Sequence, residues 1–292
     1  MNPNSRLPIG LFDSGMGGLT VFKALARRLP GEDLLYLGDT ARLPYGTKGR
    51  DTIIRYTLSA AQKLVDMGVK MLVVACNTAT AAALPTLREH FAPLPVLGVV
   101  EPGAQAAAAA SRNGRIVVLA TEATINGGAY QQAIARVRPN AEVLVRACNL
   151  FVTLAEEGWM DGPLVEGIAR RYLEGLFDAP ENKAADAARL LPDTMLLGCT
   201  HYPLLQGALR QVVGPNVNIV DSAATTAEFV VQELGALHLL HPDRAAPAGD
   251  ATGKRQGESR FLTTDHVARF VRTGSLFLGR DMAEGEVTLV DL

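Results

Sequence analysis

The hydrophobic positions fall into short continuous runs that alternate with segments of helical period. Continuous apolar runs predict strands buried on both faces, and a period of about 3.6 residues predicts helices. The predicted strands cover 7–12, 34–37, 69–75, 95–100, 115–120, 141–147, 194–198, 217–221 and 260–264. The predicted helices cover 19–29, 51–67 with Asp51 or Thr52 as N-cap, 79–91, 125–137, 163–190, 204–213, 224–237 and 266–274. This alternation is typical of an α/β protein with parallel sheets covered on both sides.

The pattern restarts near residues 101–115, which indicates two similar parallel-sheet α/β domains. We expect the first to comprise 1–100 plus 214–292 and the second 101–213, with the active site in the cleft between them. The segments MLVVACNTA (71–79) and MLLGCTHYP (195–203) each place a cysteine at the end of an apolar strand and before a helix. Cys199 follows Cys76 by 123 residues, so we interpret the two segments as a weak internal repeat.

Polar side chains follow the ends of six predicted strands. Ligands of open α/β sheets bind at the carboxyl ends of the strands, so these residues are candidates for a site. Each has an ordinary alternative, because Asp, Ser, Thr and Asn are common helix N-caps at such junctions. The residues are Asp13–Ser14, Asp39–Thr40, Cys76–Asn77–Thr78, Thr121, Cys199–Thr200–His201 and Asp221–Ser222.

The segment DSGMGGLT (13–20) lies between a strand and a helix, where a phosphate-binding loop would also lie. It lacks the third glycine of the dinucleotide motif, and the chain has no P-loop motif. Its glycines fit a backbone that approaches a small anion such as a carboxylate. Metal binding is not expected, since there is no C-x-x-C or H-E-x-x-H motif, and His238 and His241 precede a proline at a helix end.

Charge and cysteine content narrow the class of protein. Lys and Arg number 28 and Asp and Glu 30, a net charge of −2 without a basic cluster, which argues against nucleic-acid binding. No apolar stretch reaches the roughly 18 residues of a membrane span. The three cysteines are too few for a disulfide framework, and no apolar signal-peptide core precedes the first strand. We therefore expect a cytoplasmic protein.

Cys76 and Cys199 raise the question of whether these thiols are core residues or catalysts. A buried free cysteine is usually inert packing, and Cys148 is interpreted in that way. A Cys–His hydrolase would leave the second strand-end cysteine unexplained. Two facing thiols could instead remove a proton from a substrate carbon on one side and return one on the other. This requires one thiol to be ionised, and a helix N-terminus lowers the pKa of a thiol. Both cysteines directly precede predicted helices, which agrees with the requirement, and we expect His201 near Cys199 and Asp13 near Cys76 to assist proton transfer.

These residues stand in segments that resemble the glutamate racemases, within the cofactor-independent aspartate/glutamate racemase superfamily. The segments are GLFDSGMGGLTV (10–21), YLGDTARLPYG (36–46), VVACNTATA (73–81), ATEATINGGAY (120–130), LAEEGWMDGP (154–163) and LLGCTHYPLL (196–205). The resemblance implies interconversion of L- and D-glutamate without a cofactor or metal, supplying D-glutamate for peptidoglycan. It implies that Cys76 serves the D-enantiomer and Cys199 the L-enantiomer.

The resemblance also implies roles for the neighbouring residues. Asp13, His201 and Glu156, which we prefer to the adjacent Glu157, would assist proton transfer. The implied substrate-binding residues are Asp13, Ser14, Tyr45, Gly46, Asn77, Thr78, Thr121, Thr200 and His201.

Two other functions stay open at this point. An aspartate or broad-specificity racemase would carry the same thiols, and a binding protein could hold a dicarboxylate in the same cleft without turning it over. We expect a homodimer, since that is the commonest symmetric state. Trp159 is interpreted as a packing or interface residue.

Overall fold

The computed structural model describes residues 3–177, 191–243 and 255–292. Its strands are short, and all ladder pairings between them are parallel. They are β1 (Ile9–Asp13), β2 (Leu34–Gly38), β3 (Met71–Val74), β4 (Val96–Gly98), β5 (Arg115–Ala120), β6 (Glu142–Ala147), β7 (Thr194–Gly198), β8 (Asn218–Asp221), β9 (Ser259–Thr263) and β10 (Val287–Leu289).

The strands form two sheets. The first has the order β10-β9-β2-β1-β3-β4 and the second the order β6-β5-β7-β8. Every residue of β1, β2, β3 and β7 is buried, as continuous apolar runs require when helices cover both faces. The predicted α/β fold with two parallel-sheet domains is confirmed.

The helices lie on both faces of the sheets, mostly between consecutive strands. They are α1 (Leu19–Arg28), α2 (Arg50–Asp66), α3 (Asn77–His90), α4 (Val100–Ala110), α5 (Glu122–Asn126), α6 (Ala129–Val137), α7 (Leu150–Glu156), α8 (Gly162–Leu173), α9 (Gln206–Val213), α10 (Ser222–Ala236) and α11 (Val267–Leu278). Within the ranges that the structure describes, no helix combines the length and the apolar character needed to cross a membrane.

The strand after α9 corrects the predicted domain boundary. β8 pairs with β7, so the second sheet extends beyond residue 213, where the first domain was predicted to resume. The following helix α10 packs against α1, which brings the chain back to the first sheet. The boundary prediction failed because the choice of a pairing partner depends on the tertiary structure and not on the apolar run itself.

Several predicted elements differ from the structure at their ends. Helix α2 begins at Arg50 after Gly49, and no side chain caps it, so neither Asp51 nor Thr52 is its N-cap. Strand β4 ends at Gly98 because α4 begins two residues later. Helix α8 ends at Leu173, and residues 178–190 of the predicted long helix lie outside the described part of the chain. The last strand, β10, was not predicted.

Candidate active site

The carboxyl ends of β1, β3, β5 and β7 meet at a cavity of about 650 Å³, which we call the site cavity. Residues from both domains line it, because β1 and β3 belong to the first sheet and β5 and β7 to the second. The predicted site residues in its wall are Ser14, Tyr45, Gly46, Cys76, Asn77, Thr78, Thr121, Glu156, Cys199, Thr200 and His201. The ends of parallel strands are where an open α/β sheet binds ligands.

Cys76 is the N-cap of α3 and one of two thiols in the wall. Its Sγ accepts a hydrogen bond from the backbone N–H of Ala79 at 3.4 Å, and the Ser14 hydroxyl lies 3.4 Å from the same sulfur. The residue is 5 % exposed, which leaves the sulfur reachable from the cavity while most of the side chain packs in the core. Cys76 and Cys199 are both free thiols.

Burial governs the protonation of Cys76. It raises the pKa of the thiol to about 12, with the Asp13 carboxylate adding to the shift, and the bonds from Ser14 and Ala79 oppose it only in part. The helix N-terminus thus lowers the pKa of Cys76 only in part, and the net shift is upward, contrary to the expectation from the sequence. The protein withdraws the thiol from water, and desolvation disfavours the charged form more than the single N–H bond favours it.

Asp13 ends β1 and is almost completely buried, and it is not among the residues that line the site cavity. Its Oδ2 accepts a hydrogen bond from the backbone N–H of Gly15 at 3.0 Å, and its Oδ1 has no partner among the described residues. Burial raises the pKa of the carboxyl, although His201 and the backbone N–H groups of the 14–18 loop oppose the shift. Oδ1 of Asp13 is thus a buried hydrogen-bond acceptor that no described residue uses.

Cys199 faces a histidine that is itself held by a carboxylate. The Sγ of Cys199 lies 3.7 Å from Nδ1 of His201, and Nε2 of the same ring lies 3.1 Å from Oε1 of Glu156. Glu156 ends α7, whereas Cys199 and His201 follow β7. Of the two adjacent glutamates, Glu156 makes this contact, while Glu157 also lines the site cavity.

The contacts of His201 raise the pKa of its ring by more than burial lowers it. Burial lowers the pKa of the imidazole, but the hydrogen bonds with Cys199 and Glu156 raise it to about 10. Burial also raises the pKa of Glu156, and the His201 hydrogen bond together with Arg269 more than offsets this, so that the pKa lies below its ordinary value. The pair is therefore held as an imidazolium beside a carboxylate.

Three threonine hydroxyls from the two domains meet at the site cavity, two of them on residues of its wall. The Oγ1 atoms of Thr78, Thr121 and Thr124 lie 2.8 to 3.2 Å from one another. The backbone N–H of Ala123 donates to the carbonyl of Gly46 at 3.0 Å, which joins the 43–47 loop to the second domain. Gly46 is required there, because a Cβ atom would lie 2.8 Å from Cβ of Thr121.

Asp39 supports this loop. Its carboxylate accepts hydrogen bonds from the hydroxyl of Tyr45 at 2.5 Å and from Nε of Arg42 at 2.6 Å. Burial and the Asp39 charge together raise the pKa of Tyr45 far above its ordinary value, so the hydroxyl is a donor. Asp39 thus orients a residue of the cavity wall.

Close packing also requires a glycine at position 17, two residues before α1 begins. A Cβ atom at Gly17 would lie 2.4 Å from Oγ1 of Thr200 and 2.5 Å from Nδ1 of His201. Distances below about 3 Å are not tolerated between such atoms, so only glycine lets the 14–18 loop pack against the 200–201 turn. The glycine-rich segment thus brings Asp13 and His201 together across the two domains.

The other residues considered from the sequence occupy positions that ordinary structural roles explain. Asp221 caps α10 through hydrogen bonds from the N–H groups of Ala223 and Ala224, which is the ordinary alternative for a strand-end Asp. Cys148 is completely buried, and its carbonyl accepts from the hydroxyl of Tyr202. Trp159 is 54 % exposed. Among the described residues, no group of three or more His, Cys, Asp or Glu side chains could hold a metal ion.

Comparison with known proteins agrees with this geometry. The family model for Asp/Glu/Hydantoin racemase matches residues 9–230. This chain belongs to the Asp/Glu/Hydantoin racemase family. It is 46 % identical over 284 residues to the glutamate racemase of Geobacter metallireducens, covering 97 % of this chain and 96 % of that one. The predicted superfamily and the prediction of an isomerase, an amino-acid racemase, are confirmed.

Solved structures agree with the fold of this racemase. The crystal structure of glutamate racemase from Francisella tularensis in complex with D-glutamate matches with a TM-score of 0.82 at 34 % identity, covering 98 % of both chains. A glutamate racemase isoform from Bacillus anthracis matches with a TM-score of 0.86 at 33 % identity, covering 99 % of this chain and 98 % of that one.

Some residues in the wall of this racemase's site cavity escaped the sequence analysis. Arg269 of α11 and Tyr172 of α8 reach the cavity from distant parts of the chain. Thr124 does not line the cavity, but it completes the cluster of threonine hydroxyls. Only Thr124 had a signal in the sequence, since it stands in the segment ATEATINGGAY. Arg269 and Tyr172 lie on amphipathic helices, where Arg and Tyr are ordinary surface residues.

Proposed function

We propose that this racemase interconverts L- and D-glutamate by moving protons between the substrate carbon and the thiols of Cys76 and Cys199, without a cofactor. The observation that supports this most directly is that both thiols line one cavity built by the two domains. Each thiol comes from a different sheet, so a substrate held between the domains would have one thiol on each side of its Cα.

Buried polar groups fit the substrate's own charges. Oδ1 of Asn77, in the cavity wall, is a buried acceptor without a partner among the described residues, and an ammonium group would satisfy it. Oδ1 of Asp13 is a second such acceptor, and it could bind the ammonium group only if the substrate reaches beyond the present wall of the cavity. The hydroxyls of Ser14, Thr78, Thr121 and Thr200, together with the N-terminus of α3, suit carboxylate groups. Tyr45 and Gly46 would complete the binding wall.

The two thiols would remove their protons in different surroundings. The Cys76 thiolate would remove the proton from D-glutamate, and the substrate ammonium beside it would favour ionisation of a thiol that burial keeps protonated. The Cys199 thiolate would remove the proton from L-glutamate, and the His201 imidazolium beside it would stabilise the thiolate. In each direction the opposite thiol supplies the replacement proton, so protons and charge balance after one turnover.

Asp13 and Glu156 would assist these steps from the two sides. Asp13 lies close enough to raise the pKa of Cys76, so it can stabilise the substrate ammonium group on that side. Glu156 holds the His201 ring through Nε2 and stabilises its positive charge. We infer that D-glutamate produced in this way serves peptidoglycan synthesis and that the enzyme acts in the cytoplasm as a homodimer. Sedimentation equilibrium of the purified protein would test the dimer.

Incubation of the protein with L-glutamate in D2O tests the proposed reaction. We expect circular dichroism at the glutamate band to decay to zero while the Cα proton signal disappears from the NMR spectrum. L-Aspartate is the control substrate and separates a glutamate racemase from an aspartate or broad-specificity enzyme. Saturable glutamate binding without exchange would favour a binding protein, and no loss of optical activity would refute the proposal.

A further inference from the structure

The Glu156 carboxylate is divided between two partners. Its Oε1 lies 3.1 Å from Nε2 of His201, and its Oε2 lies 3.5 Å from Nη2 of Arg269. The carboxylate is largely buried, with 15 % of the side chain exposed, whereas the side chain of Arg269 is 55 % exposed. An outer cation thus holds the oxygen that the histidine does not use.

Arg269 comes from the other domain. It lies on α11, whose residues Phe270 and Phe277 pack in the same core as β1 and β2 of the first sheet. The Phe277 ring also contacts the His201 ring edge to face, with centroids 5.0 Å apart. Helix α11 therefore touches both members of the Glu156–His201 pair, while that pair belongs to the second domain.

The ion pair is a poor candidate for a purely stabilising role. Exposed ion pairs contribute little to the free energy of unfolding because water and salt screen them. Its geometric consequence is larger, since a carboxylate held through one oxygen presents the other in a fixed direction. The direction of that oxygen determines the orientation of the His201 ring, whose Nδ1 lies 3.7 Å from Sγ of Cys199.

We propose that Arg269 is a positioning residue that orients Glu156, and through it His201, for proton transfer at Cys199 when the two domains are together. The inference rests on the proposed racemase reaction. The effect should be one-sided, because the sulfur of Cys76 contacts the Ser14 hydroxyl and the Ala79 N–H and not this chain of groups.

Arg269→Gln removes the charge, Arg269→Lys keeps it, and Arg272→Gln is the matched control, an exposed arginine on the same helix. We expect Arg269→Gln to lower kcat about tenfold with little change in KM, less than the roughly 10²–10⁴-fold loss expected when a general acid–base group is removed. Arg269→Lys should recover most of the activity. Arg272→Gln should match the unaltered enzyme.

Substrate isotope effects identify the affected thiol. In Arg269→Gln the effect of 2-deuterated L-glutamate should increase, because removal of that deuteron by Cys199 becomes more rate-limiting. The effect of 2-deuterated D-glutamate should fall or stay constant, because Cys76 removes that deuteron. A purely structural role would lower activity and melting temperature together and leave the ratio of the two isotope effects unchanged.

The outcomes separate this inference from the proposed function. If the unaltered enzyme does not racemise glutamate, the proposed function is wrong. If it does, and Arg269→Gln has unchanged kinetics or an unchanged isotope-effect ratio, the positioning role is refuted. A rise in KM with constant kcat would also refute it, because Arg269 lines the site cavity and would then be a direct substrate contact.

Discussion

The Sγ of Cys199 lies 3.7 Å from Nδ1 of His201, whereas the Sγ of Cys76 has the Ser14 hydroxyl and the Ala79 N–H as its hydrogen-bond partners among the described residues. The two thiols have equivalent places at the ends of strands, but their surroundings differ. Cys199 lies beside the His201 imidazole, whereas burial raises the pKa of the Cys76 thiol. The site is therefore chemically asymmetric although the fold repeats.

Replacing either site thiol should abolish racemisation. Cys76→Ser and Cys199→Ser each remove an acid–base group, and we expect the rate with either enantiomer to fall at least about 10²–10⁴-fold. Polarimetric assays from both enantiomers would measure this. Cys148→Ser is the matched control, because that thiol is buried outside the cavity wall. A fully active Cys199→Ser enzyme would refute the two-thiol scheme.

Glu156 and Glu157 should differ in their importance for catalysis. Glu156→Gln removes the charge that holds His201, so we expect kcat to fall about tenfold or more. Glu157→Gln should have a smaller effect, since Glu156 is the glutamate that accepts the hydrogen bond from Nε2 of His201. Steady-state kinetics with L-glutamate would decide between them, and equal losses in both variants would contradict the assignment.

The raised pKa of His201 predicts a pH dependence of stability. The folded protein holds this proton up to a pKa of about 10, whereas the unfolded chain loses it near the ordinary value of 6.5. The contribution to stability is thus complete below pH 6.5 and disappears as pH rises towards about 10. Urea midpoints of the unaltered protein and His201→Asn should therefore converge across this range. A constant difference between them would show that His201 does not gain a proton on folding.

Gly17→Ala should damage the site without unfolding the protein. The new Cβ would meet Oγ1 of Thr200 at 2.4 Å and Nδ1 of His201 at 2.5 Å, so the 14–18 loop and the 200–201 turn must separate. We expect a large loss of kcat, measured by loss of optical activity.

Gly207→Ala is the control for that substitution. Gly207 is the second residue of α9, where an added Cβ meets no atom within 4 Å. Alanine should stabilise the helix by less than the roughly 0.5–1 kcal/mol of a mid-helix position, which a urea titration would measure, and the activity should stay unchanged. Full activity of Gly17→Ala would show that the close packing has no role in the site.

The sequence was sufficient for the local structure and for much of the chemistry. Apolar runs such as 34–37 and 194–198 predicted buried strands because a strand covered on both faces has no solvent side. The cysteines at the ends of β3 and β7 were candidates for a site because ligands of open α/β sheets bind at the carboxyl ends of the strands. The motifs around Cys76 and Cys199 then indicated the family.

Only the tertiary structure decided which distant groups surround each thiol. The pKa of Cys76 is raised and not lowered, since the shift depends on how completely the packed domains exclude water, and a helix N-terminus visible in the sequence does not report that. The apolar pattern predicts that β8 is a strand but does not indicate its partner, and only the tertiary structure shows that it pairs with β7. Arg269 lies 113 residues from Glu156 and meets it only because the second domain packs against α11. Hydrogen bonding and burial at a site between domains are long-range properties of the fold, whereas periodicity along the chain is local.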